Sequence, residues 1–125
     1  MGKNLWFELR AFARRAILES ELRALDPNAF ALLEWVVDQT QSRQDPIYMQ
    51  QLVMDSKVAS PATTFKCVGA LENLGLISVT TDRQDARRRI IRPTRRALQI
   101  MEALGQKTEQ WLAHRRRPSQ EGKGS

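Results

Sequence analysis

From Asn4 to about Leu25 the apolar residues Leu5, Trp6, Leu9, Phe12, Ala13, Ala16 and Ile17 return at steps of three and four, with Glu8, Arg10, Arg14, Arg15 and Glu19 between them. That period predicts an amphipathic helix. Asp26-Pro27 then predicts a second start, because an aspartate can accept from an amide one turn on and proline loses nothing in the first turn. The helix it opens runs to about Thr40, and Phe30, Leu32, Leu33, Trp35, Val36 and Val37 make it apolar on nearly all sides. It is expected at the centre of the core. After a polar loop over residues 41–46, Ile47, Met49, Leu52, Val53 and Met54 predict a short third helix ending near Ser56. Ser60-Pro61 repeats the cap-plus-proline signal and leads into Ala62 to Leu74, with Thr64, Cys67, Val68 and Leu71 on one face and Gly75 as the stop.

The period then changes to two. Ile77, Val79 and Thr81 alternate as a strand, Asp82 to Arg87 holds turn-forming residues, and Arg89 to Arg92 returns as a second strand, which together predict a hairpin. Thr94 can cap a last helix to about His114, with Leu98, Met101, Leu104, Thr108, Trp111 and Leu112 on a stripe of roughly 3.5-residue period. The stripe is longer than one small core requires. The expected fold is mainly α with a small β-hairpin, in the order of a winged helix-turn-helix. Residues 1–117 form one domain: a winged-helix lobe at 27–93, and N- and C-terminal helices (1–25 and 94–114) that form a dimerisation arm. The polar end, 115–125, is expected to be a frayed basic tail.

Composition narrows the function. With 125 residues, 42% of them hydrophobic, the chain has material for one core and none for a multidomain enzyme. No apolar run approaches the roughly 20 residues of a membrane span. The start lacks a secretory stretch, and Trp6 stands where a myristoylation signal wants Ser or Thr, so a cytoplasmic, nucleoid-associated protein is expected. One cysteine and one histidine leave no internal disulfide and little for metal or histidine catalysis, so a binding protein is expected, with no cofactor and no metal. Cys67, at the edge of an inward face with no neighbouring Cys, His or cluster of bases, reads as a small core residue rather than a redox sensor. The net charge of +6 is concentrated: Arg83, Arg87, Arg88, Arg89, Arg92, Arg95 and Arg96 stand in one stretch with only Asp82 and Asp85. Two acids cannot neutralise seven arginines, and a basic hairpin tip points to nucleic acid.

Three stretches make the pattern more specific. Ser60-Pro61-Ala62-Thr63-Thr64-Phe65-Lys66 resembles the Ser-Pro-Ser-Thr-Val-Ser-Arg opening of the recognition helix in the MarR family of bacterial transcription regulators. Leu71-Glu72-Asn73-Leu74-Gly75-Leu76-Ile77 resembles the Leu-Glu-x-x-Gly-Leu-Ile that closes it. Asp82-Arg83-Gln84-Asp85-Ala86-Arg87 resembles the wing pattern Asp-x-x-Asp-x-Arg, with Pro93-Thr94 at the usual distance. The likeness covers about residues 46–104. Lys57-Val58-Ala59 departs from the usual Leu-Gly-Leu, and one long terminal helix stands where many relatives have two.

The resemblance implies a homodimer that binds double-stranded DNA, with the recognition helix (about 60–74) in the major groove and the wing (about 82–89) in the minor groove. It implies Arg87 as the groove-inserting residue, Asp82 and Asp85 as wing-structuring, and Arg83, Arg88 and Arg89 at phosphates. On the recognition helix Ser60, Ala62, Thr63, Lys66 and Asn73 are the candidate DNA-binding residues, Thr63 and Lys66 foremost. The outward face of Ala62, Lys66, Gly69 and Asn73 is bland and offers no bidentate fork to a base edge. An architectural or protein-interaction winged helix with weak nonspecific DNA binding is therefore the alternative. Trp6, Trp35 and Trp111 read first as core or interface, and second as the lining for a small aromatic effector of the kind the family often binds.

Overall fold

The computed structural model describes residues 4–116. In chain order the elements are α1 (Leu5–Leu18), a 3-10 turn (Glu21–Ala24), α2 (Pro27–Ser42), β1 (Ile47–Tyr48), α3 (Met49–Asp55), α4 (Pro61–Asn73), β2 (Ile77–Thr81), β3 (Arg89–Pro93) and α5 (Arg95–Arg116). They fall into two units, one built from the two ends of the chain up to Arg23 and from Ile100, the other from Ala24 to Gln99.

The central unit is organised on α2, which packs against α4 and β3. Asp26 Oδ1 accepts from the Ala29 amide at 2.9 Å, so the cap and the following proline start the helix as its sequence predicts. Leu32, Leu33 and Val36 are wholly buried, with Leu52, Leu71, Ile77 and Ile91 from the other elements. Each such side chain contributes about 1.5–3 kcal/mol by leaving water. The sheet has three antiparallel strands in the order β1-β3-β2, with Val79 opposite Ile91 and Ile47 opposite Ile91 on its other side. Ile47 and Tyr48 are thus a strand rather than the start of the third helix, because pairing with β3 holds them extended.

The end of α4 is tightly specified. Gly75 has φ +73°, which glycine adopts without steric cost, and the Gly75 and Leu76 amides donate to the Glu72 and Leu71 carbonyls at 3.0 and 2.9 Å. Thr94 Oγ1 donates to the Gly75 carbonyl at 2.7 Å and accepts from the Ala97 amide at 3.2 Å, so one hydroxyl closes α4 and opens α5.

In the terminal unit Ala16, Leu22 and Ile100 are buried, Phe12 stacks on Trp111 with centroids 5.0 Å apart, and Lys107 pairs with Glu19 at 3.3 Å. The first helix stops at Leu18 rather than Leu25. Ser20 Oγ donates to the Ile17 carbonyl at 2.7 Å and accepts from the Leu22 amide at 3.0 Å, diverting the backbone into the 3-10 turn. The last helix passes His114 and continues through Arg116, so Arg115 and Arg116 are helical rather than part of a frayed tail. Arg115 pairs with Glu8 and lies over the Trp111 ring at 5.4 Å. The rest of the expected tail, 117–125, and residues 1–3 lie outside the described residues. No described helix is long and apolar enough to cross a membrane.

Candidate nucleic-acid interface

The turn before α4 is made without glycine. α3 closes on Ser56, and Lys57 takes φ +52° to reverse the chain. Ser60 then caps α4: its Oγ accepts from the Thr63 amide at 3.3 Å and donates to the Thr63 hydroxyl at 3.2 Å. Thr64 Oγ1 donates to the Ala59 carbonyl at 3.3 Å, which satisfies a buried hydroxyl. Thr64, Cys67, Val68 and Leu71 face inward. Ala62, Lys66 and Asn73 are exposed, Thr63 and Gly69 half-buried, and a Cβ at Gly69 would meet nothing within 4 Å. Burial pushes the Cys67 thiol up, with a smaller push from Asp26, which disfavours the reactive thiolate.

The wing is held by its two acids. Asp82 is buried; its Oδ1 accepts from the Gln84 amide at 3.0 Å and its Oδ2 from Arg88 Nη2 at 3.2 Å. Asp85 Oδ1 accepts from the Arg87 amide at 3.0 Å and from Arg87 Nε at 3.2 Å. These bonds, with Arg88 at the carboxylate's other oxygen, hold the Asp85 carboxyl below its ordinary range. The Arg87 side chain stands at the tip, 91% exposed. Arg83 and Arg89 are exposed and make no ion pair or side-chain hydrogen bond among the described residues.

Arg88 differs from its neighbours. It donates to the Tyr48 hydroxyl at 3.1 Å as well as to Asp82, and its guanidinium lies 4.0 Å from the Tyr48 ring centroid. The Asp82 hydrogen bond is the main reason its pKa is raised further. An arginine expected at phosphates is therefore engaged inside the wing. Arg96 likewise donates to the Leu74 carbonyl, at 2.6 Å, and Arg92 to Thr80 Oγ1 at 3.5 Å. Two residues escaped the sequence reading. Tyr48 gave no local signal, because its strand exists only through pairing with β3, whereas Phe65, 51% exposed, could have been found as an aromatic on a helix flank. Phe65, Met54 and Val53 share a groove of about 690 Å³ with Arg87, Arg88 and Arg89. Of the tryptophans, Trp6 is exposed with Arg10 over its ring, Trp35 is half-buried on α2, and Trp111 is taken up by Phe12.

No protein-family profile and no curated protein matches the chain. Solved structures do. A variant of MepR from S. aureus bound to an oligodeoxyribonucleotide matches with a TM-score of 0.69 at 18% identity, over 98% of this chain and 91% of that one. A MarR-like transcription regulator from Bacillus cereus matches with a TM-score of 0.58 at 12% identity, over 94% and 79%. The chain has the MarR-like winged-helix fold. The transcriptional regulator Tm0710 from Thermotoga maritima, with a TM-score of 0.66 and 21% identity over 88% and 71%, is similar to it as well. At such identities the MarR-like likeness is one of fold.

Proposed function

We propose that this chain is a homodimeric, sequence-preferring regulator of transcription that binds duplex DNA, with α4 in the major groove and the wing in the minor groove. The observation that carries this reading is the wing tip. Arg87 is projected into solvent by a turn that two carboxylates brace, beside the exposed Arg83 and Arg89, which have no ion-pair partner among the described residues. A guanidinium so presented suits a narrow, strongly negative minor groove, and its neighbours suit phosphates. The fold supports the same reading, since one similar structure holds an oligodeoxyribonucleotide. On α4, Lys66 and Thr63 are the base or phosphate readers, Ser60, Ala62 and Asn73 flank them, and discrimination leans on groove shape. Such a protein acts in the cytoplasm at the nucleoid.

Selection from random duplexes at stated salt tests the reading. A palindrome with A·T-rich flanks is expected, and Arg87→Ala should weaken binding to it by about 1–3 kcal/mol. Uniform weak binding to every duplex would favour the architectural alternative, which the bland face of Ala62, Gly69 and Ala70 motivates. Unchanged affinity in Arg87→Ala would remove the wing from the interface.

A further inference from the structure

Tyr48 occupies a position where its own helix wants something else. It is the N-cap of α3, yet its side chain makes no cap bond, and the residues favoured there are Ser, Thr, Asp and Asn. Its side chain is used elsewhere. The hydroxyl accepts from Arg88 Nη2 at 3.1 Å, and the ring lies under the guanidinium at 4.0 Å, well inside the range of a favourable cation–aromatic contact. The same Nη2 reaches Asp82 Oδ2 at 3.2 Å, and Arg88 Nε stands 4.0 Å from Asp85 Oδ2. The Arg88 main chain is engaged too, its amide donating to the Asp85 carbonyl and its carbonyl accepting from the Asp82 amide, each at 2.9 Å. Arg88 is thus gripped by both acids of the turn and by a residue of β1, forty positions away.

Arg87 is the next residue in the chain. A two-stranded ribbon is pliant on its own, and the β2–β3 tip extends beyond the last paired residues, Thr81 and Arg89. Tyr48, by contrast, belongs to β1 and leads directly into α3, which packs on α4. We infer that Tyr48 is a specificity-determining positioning residue, which locks Arg88 into the wing and so fixes the direction in which Arg87 leaves the hairpin relative to α4. Both groove readers then move as one body. A site with few base-reading side chains on α4 depends on that rigidity, because shape discrimination requires Arg87 to meet the minor groove at one distance from the major-groove helix. Arg88 contributes geometry rather than a phosphate contact.

The inference rests on the proposed duplex-binding reading and is tested with three variants of the full chain, Tyr48→Thr, Tyr48→Phe and Arg88→Ala. Each is titrated against a selected and a scrambled duplex over a range of salt. Threonine restores a cap side chain to α3 while removing the ring, so the fold is preserved as the lock is lost. Tyr48→Thr and Arg88→Ala should each lower the selected-to-scrambled affinity ratio by about tenfold, with the salt slope unchanged, whereas Tyr48→Phe, which keeps the ring face, should lower it by only about twofold to threefold. A salt slope reduced by about one unit in Arg88→Ala would make Arg88 a phosphate contact and overturn the inference. An unchanged ratio in Tyr48→Thr would overturn it as well. If the wild type prefers no duplex, the duplex-binding reading falls by itself, and hydrogen exchange judges the lock: the Arg87 and Arg88 amides should exchange faster in Tyr48→Thr, and equal rates would refute it.

Discussion

Asp85 shows how a single carboxylate shapes the wing. It accepts two hydrogen bonds from Arg87 and faces Arg88, and these favour its charged form. A carboxyl depressed in this way contributes to the fold wherever it is ionised, above its ordinary value of 3.8, and its contribution is lost only as the pH falls below that value. The Arg87 amide resonance should therefore hold its position from neutrality down through pH 4 and move below it. In Asp85→Asn that low-pH transition should vanish; its persistence would take it away from Asp85. Lys57 carries a different local stress. Its φ of +52° closes α3 in a conformation that costs a residue with a Cβ about 1 kcal/mol. Lys57→Gly should raise the free energy of urea unfolding by about 0.5–1 kcal/mol, the relief of strain outweighing the added freedom of the unfolded chain. A loss of stability would mean that the lysine side chain makes up the difference.

At the scale of elements, the two described glycines of α4 and its cap behave oppositely. Gly69 lies inside the helix with nothing within 4 Å of a Cβ, so Gly69→Ala should stabilise the protein by about 0.5–1 kcal/mol. Gly75 has left-handed φ, so Gly75→Ala should destabilise it by about 1 kcal/mol although the nearest atom, on Arg96, is 3.7 Å away. Thermal unfolding of both variants checks the pair, and equal signs would contradict it. Gly69→Ala also tests the interface: weaker DNA binding by a more stable protein would mean that the helix backbone approaches the duplex closely. Gly75, like the caps at Asp26 and Ser60, is a local signal, and the elements they bound were legible in the sequence. β1 was not, because Ile47 and Tyr48 precede an apolar helical period and become a strand only through Ile90 and Ile91. The break after Leu18 was hidden for a similar reason, since apolar spacing continues across Ser20 while its hydroxyl redirects the chain. The basic wing was visible as a run of arginines. Which of them turn outward was not, because Arg88 is engaged by a tyrosine in another strand as well as by Asp82.

For the whole molecule, the decisive surface is that of α1. Leu5, Trp6, Phe7, Leu9 and Leu18 are all exposed on it, on more than one side, Phe7 to 66%, in a helix whose only buried residue is Ala16. Apolar side chains left exposed in this number, on the proposed dimerisation arm, suit a second copy related by a two-fold axis. Dimerisation matters to DNA binding by arithmetic. Two lobes on one particle turn the second half-site contact into an intramolecular event, which multiplies a modest affinity per half-site. Wild type should therefore scatter light as a dimer at tens of micromolar. Phe7→Glu should shift it to a monomer while leaving the urea unfolding of the monomer nearly unchanged, because an exposed side chain contributes little to the isolated fold. The same variant should bind a single half-site as well as wild type does, yet lose at least about tenfold on the full palindrome. Wild type found monomeric at that concentration would refute the two-half-site reading. A Phe7→Glu protein that remained dimeric would move the interface away from α1.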